Sequence, residues 1–176
     1  MAAATRLLPL LFFALAACAQ PTAPDTSGAV QEEVAELWTD DTRTVLSGDA
    51  ARTLAGQCSR ISPGPVEDVW TPDEAQIERV EDDLILRVAR EMEARGQSPS
   101  PGGYYRQYAG FMIDGRRIIY VNGVDESAIQ NASGPAQAFD WRTQPVLICD
   151  GGAITFGAEY DPATRQVSHF AFNGPY

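Results

Sequence analysis

Two apolar segments joined by the dipeptide Asp114-Gly115 constrain the fold of this chain most strongly. Residues 104–113 and 116–122 are rich in Tyr, Ile, Val and Phe. Asp-Gly readily adopts the positive φ angles of a two-residue turn, so the segments are predicted to pair as a β-hairpin. A two-residue turn at Asp114-Gly115 fixes the register of the two strands. In that register four pairs of residues lie opposite each other: Phe111 and Ile118, Ala109 and Tyr120, Met112 and Arg117, and Gly110 and Ile119. Both faces are largely apolar, which predicts a central hairpin packed under a helix.

The strongest helical pattern precedes this hairpin. Thr71-Pro72-Asp73-Glu74 supplies a capping threonine, a proline at the first helical position and a glutamate that completes a capping box. An apolar stripe at helical spacing follows, formed by Ile77, Val80, Leu84, Ile85, Val88, Ala89 and Met92. Gly96 ends the pattern. We therefore predict a helix that packs against the strands of residues 104–122.

Weaker patterns complete the fold prediction. Residues 29–47 are predicted to be a helix that Gly48 ends, and residues 59–70 a loop broken by Pro63, Gly64 and Pro65. Three further strands are expected at Val146–Cys149, Ala153–Tyr160 and Gln166–Phe172, with turns at Asp150-Gly151-Gly152 and at residues 161–165. The polar stretch 123–144 is either functional or contains a short element. The predicted class is α+β, with one or two N-terminal helices packed on an antiparallel sheet of about five strands.

Composition limits the class of function. The chain has 176 residues, 44% of them hydrophobic, which suits one globular domain. Thirteen Lys+Arg against 24 Asp+Glu give a net charge of −11. Nucleic-acid-binding domains carry basic patches, so this acidic chain is not expected to bind nucleic acid.

The N-terminus has the pattern of a secretory signal. Arg6 is the only charge before an apolar run from Leu7 to Ala19. That run is shorter than the roughly 20 residues that a membrane-spanning helix needs.

Leu15-Ala16-Ala17-Cys18 resembles the lipobox of bacterial lipoproteins, in which small residues precede an obligatory cysteine. The resemblance implies cleavage before Cys18, a diacylglycerol on its sulfur and an acylated amine. It also implies a membrane-anchored protein of the bacterial cell envelope, and Ala19 in place of an aspartate favours the outer membrane, facing the periplasm. The alternative is an ordinary signal peptide. The expected organisation is a signal peptide at 1–17, a lipidated tether at 18–28 and one domain at 29–176.

The chain has three cysteines: Cys18, Cys58 and Cys149. If Cys18 is lipidated, two cysteines remain, and export would place them in an oxidising compartment where disulfides persist. This predicts a Cys58–Cys149 disulfide. The alternative, a reactive thiol pair, lacks a CxxC spacing and a neighbouring base.

Signals of catalysis or metal binding are weak. His169 is the only histidine, and its neighbour Ser168 should point to the opposite face of a strand, so His169 is expected to be an ordinary strand residue. No HExxH or CxxC motif occurs, and the acidic clusters 40–41 and 81–83 are interpreted as solvated faces. Asp150-Gly151-Gly152 precedes a predicted strand, not the helix that a phosphate loop opens. No cofactor or metal is therefore expected.

Four carboxylates near predicted strand ends leave one enzymatic hypothesis open. A pair of them could flank a glycosidic bond as acid and base. The candidates are Asp140, Asp150, Glu159 and Asp161.

The most distinctive stretch is residues 104–110. Strand alternation places Tyr104, Arg106 and Tyr108 on one face. Because Tyr and Arg are enriched at interfaces, these three are the candidate partner-binding residues. The alternative is cross-strand aromatic packing with a hydrogen-bonded arginine.

These patterns favour a non-enzymatic lipoprotein whose small domain binds a protein or another envelope component, as an inhibitor or assembly factor does. The alternatives are a carboxylate-dependent hydrolase of envelope glycans and a purely structural lipoprotein. Four segments together resemble small exported bacterial proteins of unknown activity: residues 104–110, the hairpin, residues 149–152 and Phe172-Asn173-Gly174. That resemblance implies no activity.

Overall fold

The computed structural model describes residues 38–97, 103–132 and 139–174. The expected signal peptide, Cys18 and the expected tether lie outside the described residues, as does the first part of the helix expected at 29–47.

The described residues form an α+β domain in which three α-helices accompany a six-stranded, mostly antiparallel sheet. The elements in chain order are β1 (Arg43–Val45), α1 (Gly48–Leu54), β2 (Asp68–Trp70), α2 (Glu74–Ala94), β3 (Tyr104–Ile113), β4 (Arg116–Asp125), α3 (Glu126–Ala132), β5 (Thr155–Asp161) and β6 (Gln166–Phe172). Short 3-10 helices lie at Asp40–Thr42 and Gly152–Ile154. The strand order is β1-β3-β4-β5-β6, and β2 also pairs with β3. Only the β1–β3 pair among these strands is parallel.

The predicted hairpin is confirmed as the centre of the sheet. Asp114 and Gly115 form the turn with φ angles of 50° and 69°. All four residue pairs expected from that turn are observed, and β4 runs on to Asp125.

Helix α2 is also confirmed, although its cap differs from the prediction. The Asp73 carboxylate accepts a hydrogen bond of 2.8 Å from the Gln76 N–H, and the Gln76 side chain accepts one of 2.9 Å from the Asp73 N–H. The box is therefore Asp73/Gln76 and not Thr71/Glu74, because the stronger capping residue lies two positions further on. The predicted apolar stripe is buried, and Ile77, Val80, Leu84 and Val88 pack with side chains of β3, β4 and β5.

Several weaker predictions are wrong. Within residues 38–47 the chain forms a 3-10 helix and β1, and Gly48 begins α1 instead of ending a helix. The expected loop 59–70 contains β2. For residues 123–144, one of the two predicted alternatives, a short element, is observed as α3. Residues 146–149 are not a strand, so Asp150-Gly151-Gly152 is not a hairpin turn.

The physical reason for the missing strand is that sheet side chains bind this part of the backbone. Gln107 accepts a hydrogen bond from the Val146 N–H, and Asn122 donates to the Val146 carbonyl. Gln107 also donates to the Trp141 and Gln144 carbonyls. Since these groups are satisfied by side chains, the segment needs no strand partner.

Both faces of the sheet are covered. Helix α2 covers one face, which we call the helix face. The opposite face, the loop face, packs against α1 and against α3 with the segment 139–148. The predicted Cys58–Cys149 disulfide is confirmed and joins two loops across a sequence separation of 91 residues.

Candidate functional site

The three residues predicted to bind a partner are buried. Tyr104, Arg106 and Tyr108 are 3%, 0% and 0% exposed on the helix face. The Tyr104 hydroxyl donates to the Ala153 carbonyl over 2.6 Å. The alternation was predicted correctly, but these side chains offer no surface to a partner. The packing alternative, aromatic side chains around a hydrogen-bonded arginine, describes them.

Glu81 lies at the centre of this buried network. Its carboxylate accepts from Arg106 Nε at 2.8 Å, from the Tyr108 hydroxyl at 2.8 Å and from Arg43 Nη1 at 2.6 Å. Burial is the largest cause that raises the pKa of Tyr108. Asp83, in the same acidic run, pairs with Arg165 at 2.9 Å. The interpretation of residues 81–83 as a solvated face is therefore wrong for Glu81 and Asp83, which join α2 to other elements.

A different cluster lies at the bottom of a small cleft on the loop face. The Glu159 carboxylate on β5 is 5% exposed. Ser62 Oγ donates to Glu159 Oε1 over 2.9 Å, and His169 Nδ1 lies 2.9 Å from Glu159 Oε2. The cleft has a volume of about 180 Å³ and is also lined by Ile61, Gly64, Pro65, Ile113, Asp114 and Arg116.

A β-bulge brings His169 to Glu159. The β5–β6 register shifts between Gly157 and Glu159, so that β6 has one more residue than β5 in this stretch. His169 takes a φ of 51°, while its neighbour Ser168 pairs with Glu159 along the ladder. His169 is thus not the ordinary strand residue expected from the sequence. Simple alternation contains no signal for this bulge.

Polar residues continue beneath the cleft. The Tyr120 hydroxyl donates to the Ser62 carbonyl over 3.4 Å, and burial raises the pKa of Tyr120 to about 12. Arg60 Nη2 donates to the neutral side-chain oxygens of Gln57 and Asn122, and burial lowers the pKa of this guanidinium. Gly157 makes room for the cluster, because a Cβ there would lie 2.5 Å from the Tyr120 hydroxyl.

Of the four carboxylates proposed for glycan hydrolysis, only Glu159 lines this cleft. Asp161 pairs with Arg116 at 3.6 Å and accepts hydrogen bonds within the turn that follows β5. Asp140 accepts from the Arg142 N–H, and Asp150 is exposed. The second carboxylate in the cleft is Asp114, which the sequence analysis assigned to the hairpin turn and not to a functional site.

Within residues 38–97, 103–132 and 139–174, no group of three or more His, Cys, Asp or Glu side chains is arranged to hold a metal ion. None of the helices in those ranges combines the length and the apolar composition that crossing a membrane requires. Comparison with protein-family models, with curated proteins and with solved structures finds no match to this chain.

Proposed function

We propose that this protein is a lipid-anchored bacterial envelope lipoprotein whose domain binds another envelope component, without catalysis, through the cleft around Glu159. The lipobox residues 15–18 support the anchor. Each buried CH₂ of an acyl chain contributes about 0.8 kcal/mol, so two or more chains hold a protein firmly. The Cys58–Cys149 disulfide is compatible with an exported domain.

The observation that carries the binding proposal is the combination of a buried charge and an exposed apolar side chain at one place. Glu159 is 5% exposed at the bottom of the cleft, while Ile61 on its wall is 91% exposed. Among the described residues, the exposed large hydrophobic side chains are Ile61 and, at 40%, Leu147. Protein interfaces combine apolar anchors with polar groups that fix orientation. This surface replaces the one predicted at Tyr104, Arg106 and Tyr108.

A glycan hydrolase is the second candidate, favoured only by the two carboxylates Glu159 and Asp114 in one cleft. It requires that Glu159→Gln and Asp114→Asn each abolish cleavage of purified envelope glycan. The binding proposal expects no cleavage by the unchanged protein.

The anchor is tested with Cys18→Ser. We expect this variant to leave the membrane fraction, because the acylated sulfur is lost. A variant of mature size that stays in the membrane fraction would contradict lipid anchoring.

The binding surface is tested with a photo-crosslinking amino acid placed at position 61 or, as the matched control, at position 147. We expect irradiation of living cells to give one discrete adduct from position 61 that is absent from position 147 and weakened by Glu159→Gln. Equal adducts from both positions, or none from position 61, would refute the proposed surface.

A further inference from the structure

Resting on the proposed function, we propose that the cleft receives a basic side chain, lysine or arginine, of a partner protein, with Glu159 as its counter-ion. Ser62 and His169 hold the carboxylate in place for this contact.

Within the described residues, no arginine forms an ion pair with the Glu159 carboxylate, and His169 supplies the only ionisable nitrogen within 4.0 Å of it. The buried guanidinium of Arg60 beneath the cleft donates instead to the neutral oxygens of Gln57 and Asn122. A carboxylate has about four acceptor positions, and the hydrogen bonds to Ser62 and His169 occupy two. Buried charges in proteins are normally paired. An ammonium or guanidinium group entering the cleft would supply both the missing positive charge and the missing donors.

The size of the cleft favours a side chain over a free small molecule. Its volume of about 180 Å³ is below the roughly 300–1,000 Å³ typical of ligand pockets. A partner that inserts one side chain needs no larger space. Ile61 at the wall can contact the methylene groups of a lysine or arginine stem, which commonly pack on apolar surface.

The surrounding charges also favour a cation. Asp114 lines the cleft together with Glu159, while the one arginine in the lining, Arg116, already pairs with Asp161. The whole chain carries a net charge of −11. The electrostatic field of this net negative charge attracts basic partners and accelerates their association at low salt.

The test uses the full lipoprotein in neutral detergent micelles, purified without a histidine tag. Because His169 is the only histidine in the chain, its imidazole NMR signals report directly on the cleft. The probes are capped Gly-Gly-Xaa-Gly-Gly peptides in which Xaa is arginine or lysine, or the uncharged citrulline or norleucine. We expect the charged peptides to bind at least about tenfold more tightly, as charge-assisted hydrogen bonds require.

Two variants locate the binding. Glu159→Gln should abolish the preference for charged peptides, whereas Glu78→Gln, the same change at an exposed position of α2, should keep it. Gly64→Leu keeps every polar group and fills the cleft, since a Cβ at Gly64 meets only Ile113 Cγ2 at 3.7 Å. It should also abolish binding.

Equal binding of charged and neutral peptides, or equal effects of Glu159→Gln and Glu78→Gln, would overturn the cation proposal. If the crosslink from position 61 nevertheless persists, the proposed function stands and only the identity of the bound group is wrong. If the charged peptides bind but position 61 gives no adduct, the cation site stands and the proposed partner surface fails.

Discussion

The buried network around Glu81 gives the sharpest test of the fold. Glu81→Gln keeps the shape of the side chain and removes its charge. The Arg106 guanidinium, 0% exposed, would keep only neutral acceptors: the Thr42 hydroxyl and the Tyr104 and Thr39 carbonyls. Removing one partner of a buried ion pair costs about 3 to 5 kcal/mol, and the partial exposure of Glu81 places this case near 3 kcal/mol. For a domain of this size that corresponds to a Tm lower by about 6 to 12 °C.

The free energy of unfolding is measured by urea titration with tryptophan fluorescence, and Tm by calorimetry. The control Glu78→Gln, exposed on the same helix, should stay within about 0.5 kcal/mol of the unchanged protein. The double variant Glu81→Leu/Arg106→Met should recover part of the loss, because it leaves no buried charge unpaired. The reasoning is refuted if Glu81→Gln is no less stable than Glu78→Gln.

Three further perturbations test separate parts of the domain. Gly123→Ala should destabilise it by about 1 to 3 kcal/mol in urea titration, because the new Cβ would lie 2.0 Å from the buried Phe156 ring, whereas Gly64→Ala should be neutral. Cys58→Ser should lower the free energy of unfolding by about 4 to 5 kcal/mol through the loss of loop closure, and an unchanged urea midpoint would contradict this. The pKa of Tyr120, raised by burial to about 12, makes the folded state bind its proton more tightly than the unfolded state, whose tyrosine titrates near pH 10. The raised pKa therefore contributes about 2 to 3 kcal/mol to the free energy of unfolding. This contribution is fully present below pH 10 and is lost as pH rises toward 12. Tyrosinate absorbance and stability, followed together against pH, should show a smaller loss in Tyr120→Phe than in the unchanged protein. Part of the loss should remain in that variant, because burial also raises the pKa of Tyr108.

The elements that the sequence predicted well depend on local signals. The stripe from Ile77 to Met92 has helical spacing over its whole length, and Asp114-Gly115 defines both the turn and the register of its hairpin. Each signal lies within the element it specifies. A single sequence is therefore sufficient to predict α2, β3 and β4.

The elements that were missed depend on distant partners. Strands β1 and β2 have three residues each and exist because they pair with different parts of β3. The irregular segment near Val146 is fixed by Gln107 and Asn122, which lie far away in sequence. Tyr104, Arg106 and Tyr108 were assigned correctly to one face. The sequence predicts that α2 packs on this hairpin, but it does not show that α2 and the segment before β1 cover the face that carries these three residues.

Glu159 was a candidate carboxylate from the sequence, but its cluster with Ser62 and His169 was missed for a related reason, since the three residues come from separate parts of the chain. Glu159 lies on β5, His169 reaches it through a bulge in β6, and Ser62 lies in the loop that follows Cys58. The disulfide ties that loop to the segment around Cys149, so it limits how far Ser62 and Ile61 can move away from the sheet. Reduction should therefore widen the cleft even where the sheet stays folded. If the protein is exported, as proposed above, an oxidising environment is then a condition of the site's geometry as well as of the domain's stability.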